Sequence, residues 1–265
     1  MSDRIEKTFA CLRAEKSAAL IPFIMSYDPD AETTAALLEA LPAAGAGLIE
    51  IGMPFSDPMA DGPVIQAAGK RALDAGATVS GILELVRNFR KKNNDTPIIL
   101  MGYFNPVYRY GNETFCKDAA SAGVDGLILV DLPPEEEHEI RPYLDESGIR
   151  LIRLIAPTSD DARLKLLTAS ASGFVYYISV TGITGAKSAD QETLKKKIAH
   201  LRRFTALPVA AGFGIKTPEQ AKQAAEHADA VVVGSALVDV ISKAKGKDAV
   251  VKAATGFVRS LAEAL

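Results

Sequence analysis

Residues 48–63 of the chain read LIEIGMPFSDPMADGP, and three carboxylates fall inside this short stretch: Glu50, Asp57 and Asp61. Leu48, Ile49, Ile51 and Met53 are the residues of a strand buried on both faces, so Glu50 interrupts an apolar run. An unpaired carboxylate in such a place costs several kcal/mol or keeps its proton. Desolvation raises its pKa and lets it donate as well as accept a proton, which is acid–base chemistry. A pairing of Glu50 with Arg153 or with a tyrosine hydroxyl is the purely structural alternative. Asp61 is equally compatible with chemistry and with turn formation, since ADGP is good turn sequence ahead of a helix starting near Pro63. Asp131, in LVDLPPEE, fits the cap of the next helix better than a catalytic role.

A second set of residues suggests anion recognition through glycine rather than lysine. TGITG (181–185), GFG (212–214) and VGS (233–235) each close an apolar run. Backbone N–H groups exposed at such places, together with a helix N-terminus, bind phosphate. Tight turn geometry is the other use of the same glycines. His138, His200 and His227 all fall in helical patterns, so no clustered imidazole metal site is expected. The apolar runs contain no lysine for a Schiff base, and no serine elbow or cysteine is placed as a nucleophile. What remains is acid–base chemistry on a small phosphorylated substrate.

The elements that must position these groups are eight apolar runs: 19–27, 47–54, 97–105, 126–133, 149–157, 173–180, 207–214 and 228–237. Segments of helical period separate them, which implies parallel strands covered by helices. Eight such units in a chain of 265 residues predict an α/β fold, a TIM (β/α)8 barrel formed as a single domain over residues 1–265. A doubly wound open sheet is the alternative, but SYDPDAET after the first run lacks the G-x-G-x-x-G fingerprint. Pro63, Pro134 and Pro218 mark helix starts, with Thr217 as an N-cap. The first sixteen residues form an extra helix whose Phe9 and Leu12 pack under the barrel. In this fold the C-terminal strand ends carry the active site, which puts Glu50, on the same strand face as Leu48 and Gly52, at the barrel mouth.

Composition narrows the partners. A net charge of −3 leaves no footprint for nucleic acid, and the runs RKK (90–92) and KKK (195–197) read as solvated helix faces. Two cysteines, Cys11 and Cys116, provide neither a disulfide framework nor a zinc cluster. No apolar stretch has the length of a membrane span, and the charged N-terminus has no signal-peptide core, so a soluble cytoplasmic protein is expected.

IEIGMPFSDPMADGP, with PFIMSYDPD, VTGITG and AGFGI, closely resembles the tryptophan synthase alpha subunit family over essentially the whole chain. The resemblance implies a TIM barrel that cleaves indole-3-glycerol phosphate to indole and glyceraldehyde 3-phosphate. It implies Glu50 as acid/base, Asp61 as partner of the indole N–H, and Tyr176 as a helper at the glycerol side. Phe23, Met101, Tyr103 and Leu127 then match the apolar indole pocket, and Thr184 a loop that closes over substrate. Gly185, Phe213, Gly214, Gly234 and Ser235 match the phosphate site. Some members carry an arginine where this chain has Val180, so no role of that arginine carries over. The resemblance further implies no metal and no cofactor in this chain, and a pyridoxal-phosphate beta subunit as partner in an alpha2beta2 heterotetramer, with Asp57 and Pro58 facing it. The motifs also leave room for two rivals: another phosphate-binding barrel enzyme such as a sugar-phosphate isomerase, and a chain that only activates its partner.

Overall fold

A computed structural model describes residues 3–178, 188–212 and 214–265. Nine strands form one sheet: β1 (Ala19–Met25), β2 (Ile49–Gly52), β3 (Ile98–Gly102), β4 (Gly126–Leu129), β5 (Arg150–Leu151), β6 (Arg153–Ile155), β7 (Val175–Ile178), β8 (Val209–Gly212) and β9 (Ala230–Val233). Their order is β5-β4-β3-β2-β1-β9-β8-β7-β6, with every pairing parallel. Eight runs give nine strands because the fifth run breaks at Ile152. Its first half pairs with β4 and its second with β7, so the seam of the TIM barrel lies within one strand. The Ile152 N–H still donates to Leu127 O at 3.0 Å. Arg153 then begins the pairing with Val175.

Strand alternation sorts the core into two layers. Ile21, Leu48, Ile99, Ile128, Ile152 and Phe174 fill the barrel interior. Ile49, Ile51, Leu100, Leu127 and Val175 face the helices, where they meet Leu37, Val86 and Phe115. The N-terminal helix, Arg4–Glu15, opens with the Asp3 carboxylate accepting from the Glu6 N–H and ends at Lys16 in the left-handed region. Ile5 and Phe9 are buried against the interior layer, Phe9 stacking on Phe174 with centroids 5.8 Å apart, while Leu12 is partly buried beside them.

Asp125, just before β4, fastens this end of the barrel. It accepts the Ile98 N–H at 2.8 Å and pairs with Arg4 at 2.8 Å and Arg90 at 2.6 Å. Arg90 also donates to Gly123 O and Thr96 O. The expectation of a solvated face therefore fails for Arg90, whose partners are too distant in sequence to show in a local charge pattern; Lys195, Lys196 and Lys197 are exposed. Asp229 repeats the device before β9, accepting the Val209 N–H at 2.7 Å and pairing with Arg202 at 2.9 Å.

Helices start at Pro63 and at Pro218, the latter capped by the Thr217 side chain. Pro134 instead begins a 3-10 helix, Pro134–Glu139, and the α-helix follows only at Arg141, where Pro142 occupies the first turn. Among the described residues no helix is long and apolar enough to cross a membrane.

Candidate active site

At the C-terminal strand ends a cavity of about 260 Å³ opens, and Glu50 forms part of its wall. Strand β2 places Glu50 between Phe23 of β1 and Ile99 of β3. The residue is fully buried, and neither carboxylate oxygen has a hydrogen-bond partner among the described residues. Burial alone pushes its pKa up to about 8. The structural alternative of an Arg153 partner is not realised: the Arg153 guanidinium donates to Glu137, to Leu132 O at 2.9 Å and to Ser170 Oγ at 3.3 Å. Arg153 alternates with Leu154, and it is Leu154 that lines the cavity.

Tyr176 lines the same cavity from β7, while its neighbour Tyr177 belongs to the outer layer. Burial and then the Glu50 charge raise the Tyr176 pKa well above the ordinary phenol value, so the hydroxyl stays a donor. A Cβ added at Gly212, on the adjoining strand β8, would come 2.4 Å from the Tyr176 hydroxyl oxygen. Gly212→Ala is therefore expected to displace Tyr176, lower indole release by about tenfold and cost ~1–3 kcal/mol of stability, as overpacking does. Thermal melts and the indole assay check this, with Gly256→Ala as control, because nothing lies within 4 Å of a Cβ there.

Asp61 reaches the cavity from the loop between β2 and the helix Pro63–Asp74. It does not cap that helix, whose N-cap is Gly62 with no side-chain hydrogen bond. Burial raises its pKa, and the Tyr103 hydroxyl against its carboxyl opposes the rise. Tyr103, 2% exposed, also holds the loop by accepting the Ala60 N–H at 3.0 Å. Gln66 Nε2 donates to Asp61 O at 2.7 Å.

Phe23, Met101 and Tyr103 line the cavity, and Gly234 and Ser235 close it at the start of the helix Ser235–Lys243. That helix has no side-chain cap, which leaves its first N–H groups for an anion. Gly214 has φ +64°, a left-handed conformation that favours glycine. Leu127 is a correction: it lies in the outer layer against the helices, because Gly126 and Ile128 take the inward positions of β4. Thr184, Gly185 and Phe213 lie outside the described residues. Met25, Ile65, Leu154, Ile178 and Val232 also line the cavity. Period-two alternation from Phe23 and Tyr176 would have found Met25 and Ile178; no local signal marks Ile65.

Asp57 is exposed and accepts from Ser56 Oγ at 2.5 Å, and Pro58 is half-buried beside Met59, which is 77% exposed. Asp131 accepts the Phe104 N–H at 2.7 Å. It thus serves the start of an earlier helix, Phe104–Tyr110, and not the next one. A larger hollow of about 390 Å³ sits at the opposite barrel end between the N-terminal helix and Leu265, far from these carboxylates. Among the described residues no three His, Cys, Asp or Glu side chains gather as a metal site.

A closed parallel barrel with a desolvated carboxyl in the cavity at its C-terminal mouth is the architecture of a barrel enzyme working by proton transfer. The chain belongs to the tryptophan synthase alpha chain family, whose model matches residues 9–265. It is 55% identical over 266 residues to the tryptophan synthase alpha chain of Granulibacter bethesdensis, covering 99% of this chain and 96% of that one. Identity to the Acidiphilium cryptum alpha chain is 54% over 267 residues, covering 99% and 97%. The crystal structure of tryptophan synthase subunit alpha from Legionella pneumophila superposes with a TM-score of 0.92 at 40% identity, covering 100% and 98%. The chain is a lyase of tryptophan biosynthesis, and its reaction is the retro-aldol cleavage of indole-3-glycerol phosphate.

Proposed function

We propose that Glu50, Asp61 and Tyr176 carry out this cleavage by acid–base chemistry that needs no metal or cofactor in this chain. The observation that carries the reading is Glu50 itself, enclosed, without hydrogen-bond partners among the described residues and with its pKa pushed up by burial to about 8, so that it holds its proton at neutral pH. Glu50 gives this proton to indole C3, and the positive charge that develops spreads to the indole nitrogen. Asp61 accepts the indole N–H and stabilises that charge. The glycerol hydroxyl then loses its proton to the Glu50 carboxylate as the carbon–carbon bond breaks. The bonding electrons return to the ring, which leaves as neutral indole, and the other product is glyceraldehyde 3-phosphate. The Tyr176 hydroxyl supports the glycerol side. Phe23, Met101 and Tyr103 pack the ring, and Gly214, Gly234 and Ser235, with Gly185 and Phe213, hold the phosphate. Thr184 belongs to the segment that closes over the substrate.

The partner is a pyridoxal-phosphate beta subunit in an alpha2beta2 assembly, met by Asp57 and Pro58, with Asp57 pairing a lysine there. The chain acts as one domain, in the cytoplasm. Indole release from indole-3-glycerol phosphate, measured with and without a beta subunit and with Glu50→Gln as control, tests the reading. Release that the partner increases and the substitution removes is the expected result. Conversion of a sugar phosphate without indole would favour an isomerase, and no release in either condition would leave the barrel standing and overturn the substrate or catalysis itself.

A further inference from the structure

The helix Pro63–Asp74 carries Asp61 at its entrance and contributes Ile65 to the cavity, so its placement sets two walls of the site at once. Beyond Val64 and Ile65 of its first turn, its underside is made of small residues. Ala68, Gly69 and Ala72 are buried, and Ala68 and Ala72 pack on Phe23, Met25 and Val238. A Cβ at Gly69 would lie 3.9 Å from Met25 Cε. Small side chains let the helix approach closely but present little relief, so apolar packing alone resists a slide along the rim weakly. Gly62 at the N-cap makes no side-chain bond; Tyr103 and Gln66 hold the loop locally, at Ala60 N–H and Asp61 O, and leave the far end of the helix to other contacts.

At the far end of the helix one side-chain pair ties it directionally to the barrel among the described residues. Arg71 Nε donates to Asp28 Oδ1 at 2.7 Å and its Nη2 to Oδ2 at 2.8 Å, a two-pronged pair with Asp28 only 2% exposed. Asp28 is itself anchored to the strand that carries Glu50. It follows β1, and two residues earlier Ser26 donates both its N–H, at 3.1 Å, and its Oγ, at 2.7 Å, to Gly52 O at the end of β2. Tyr27, between them, holds φ +62°, a conformation few non-glycine residues adopt, and its N–H donates to Thr34 Oγ1 at 2.9 Å. Glu50, Gly52, Ser26, Asp28 and Arg71 thus form one chain of fixed contacts from the proton donor to the helix. From Pro63 to Arg71 the helix rises about 12 Å, at ~1.5 Å per residue, so the pair acts on Asp61 through a rigid lever.

We infer that the Asp28–Arg71 pair is a positioning device for the reaction: it sets where the helix Pro63–Asp74 rests on the barrel rim and thereby the placement of Asp61 opposite Glu50. Neither residue lines the cavity. Asp28 is buried while the Arg71 side chain is 38% exposed, so the pair is half-buried, and fixing register rather than adding net stability is the use best supported for pairs that hold a buried charge. The inference rests on the proposed reading of Glu50 and Asp61.

Arg71→Ala, Arg71→Lys and the double substitution Asp28→Asn/Arg71→Ala test it, the double removing the buried charge that Arg71→Ala leaves without its partner. For Arg71→Ala we expect kcat for indole-3-glycerol phosphate cleavage to fall about 10- to 100-fold with KM within about threefold, the pattern of a displaced reacting group. Arg71→Lys keeps the charge, loses the fork and recovers part of kcat. With Asp28→Asn added as the other single, the double substitution is no slower than the slower of Arg71→Ala and Asp28→Asn, because both remove one contact. An unchanged kcat per folded molecule in Arg71→Ala, or a rise in KM alone, overturns the inference. Crystal structures of wild type and Arg71→Ala supply a readout without turnover: Asp61 shifted by about 1 Å relative to Glu50 supports the role, and an unmoved Asp61 overturns it. Wild-type protein that releases no indole would overturn the catalytic reading, whereas active wild type with an equally active Arg71→Ala overturns only the positioning role.

Discussion

Glu50→Gln is expected to lower indole release by about 10²–10⁴-fold or more, the contribution of a well-placed general acid–base group, while the barrel stays folded. Glutamine matches the shape of the carboxyl but cannot deliver a proton to carbon. In the wild type, kcat/KM should fall as pH rises through about 8, where free Glu50 loses the proton the first step needs. Activity within a few-fold of wild type in the variant would sink the assignment.

The same substitution has a stability signature. The carboxyl titrates near 4.5 when free and near 8 when folded, so between these values the native state holds a proton that the unfolded state has released. The group's stabilising contribution is fully present below about pH 4.5 and is lost as pH rises to about 8, a change on the order of a few kcal/mol. Glu50→Gln removes this slope, so relative to wild type the variant gains stability between pH 5 and pH 9. Denaturant unfolding of both proteins across that range reads the difference. Parallel curves would mean that folded Glu50 is charged and solvated.

The carboxyl was legible because it breaks a pattern: Leu48, Glu50 and Gly52 share one face of a strand whose other face is Ile49 and Ile51. Such alternation is local, as are the eight apolar runs that announced the barrel; Tyr176 came from the family resemblance. Alternation likewise argues against Leu127, since Gly126 and Ile128 occupy the inward face of β4; the family match pointed the other way, and strand parity decides. What stayed hidden depends on partners far along the chain. Arg90 reads as part of a basic run until Asp125 meets it, and Asp131 reads as a cap for its own helix until the Phe104 N–H arrives. The interruption at Ile152 marks where the fifth run passes from pairing with β4 to pairing with β7, a change of neighbour that no apolar run records. Arg71 and Asp28 were silent for the same reason, each an ordinary charged residue until the helix lies across the mouth.

Asp61→Asn separates charge from shape at the second carboxyl. The amide keeps the volume, can retain the contact with Tyr103 and can still accept the indole N–H through its carbonyl oxygen. What it lacks is the negative charge opposite the indole nitrogen, and only the protonated ring needs that charge. The loss should therefore appear in turnover, by about 10²–10³-fold, as for removal of a group aimed at developing charge. Phosphate binding should change little, because the phosphate site proposed at Gly234 and Ser235 lies at the start of the helix Ser235–Lys243, a different element. Calorimetric titration with glyceraldehyde 3-phosphate, beside kcat for the full substrate, measures the two separately. Asparagine is also a good turn residue, so a purely structural Asp61 would tolerate it with turnover nearly intact. Equal losses of binding and turnover would point instead to a collapsed loop, with Ala60 released from the Tyr103 hydroxyl. Only a selective fall in kcat places the Asp61 charge in the transition state.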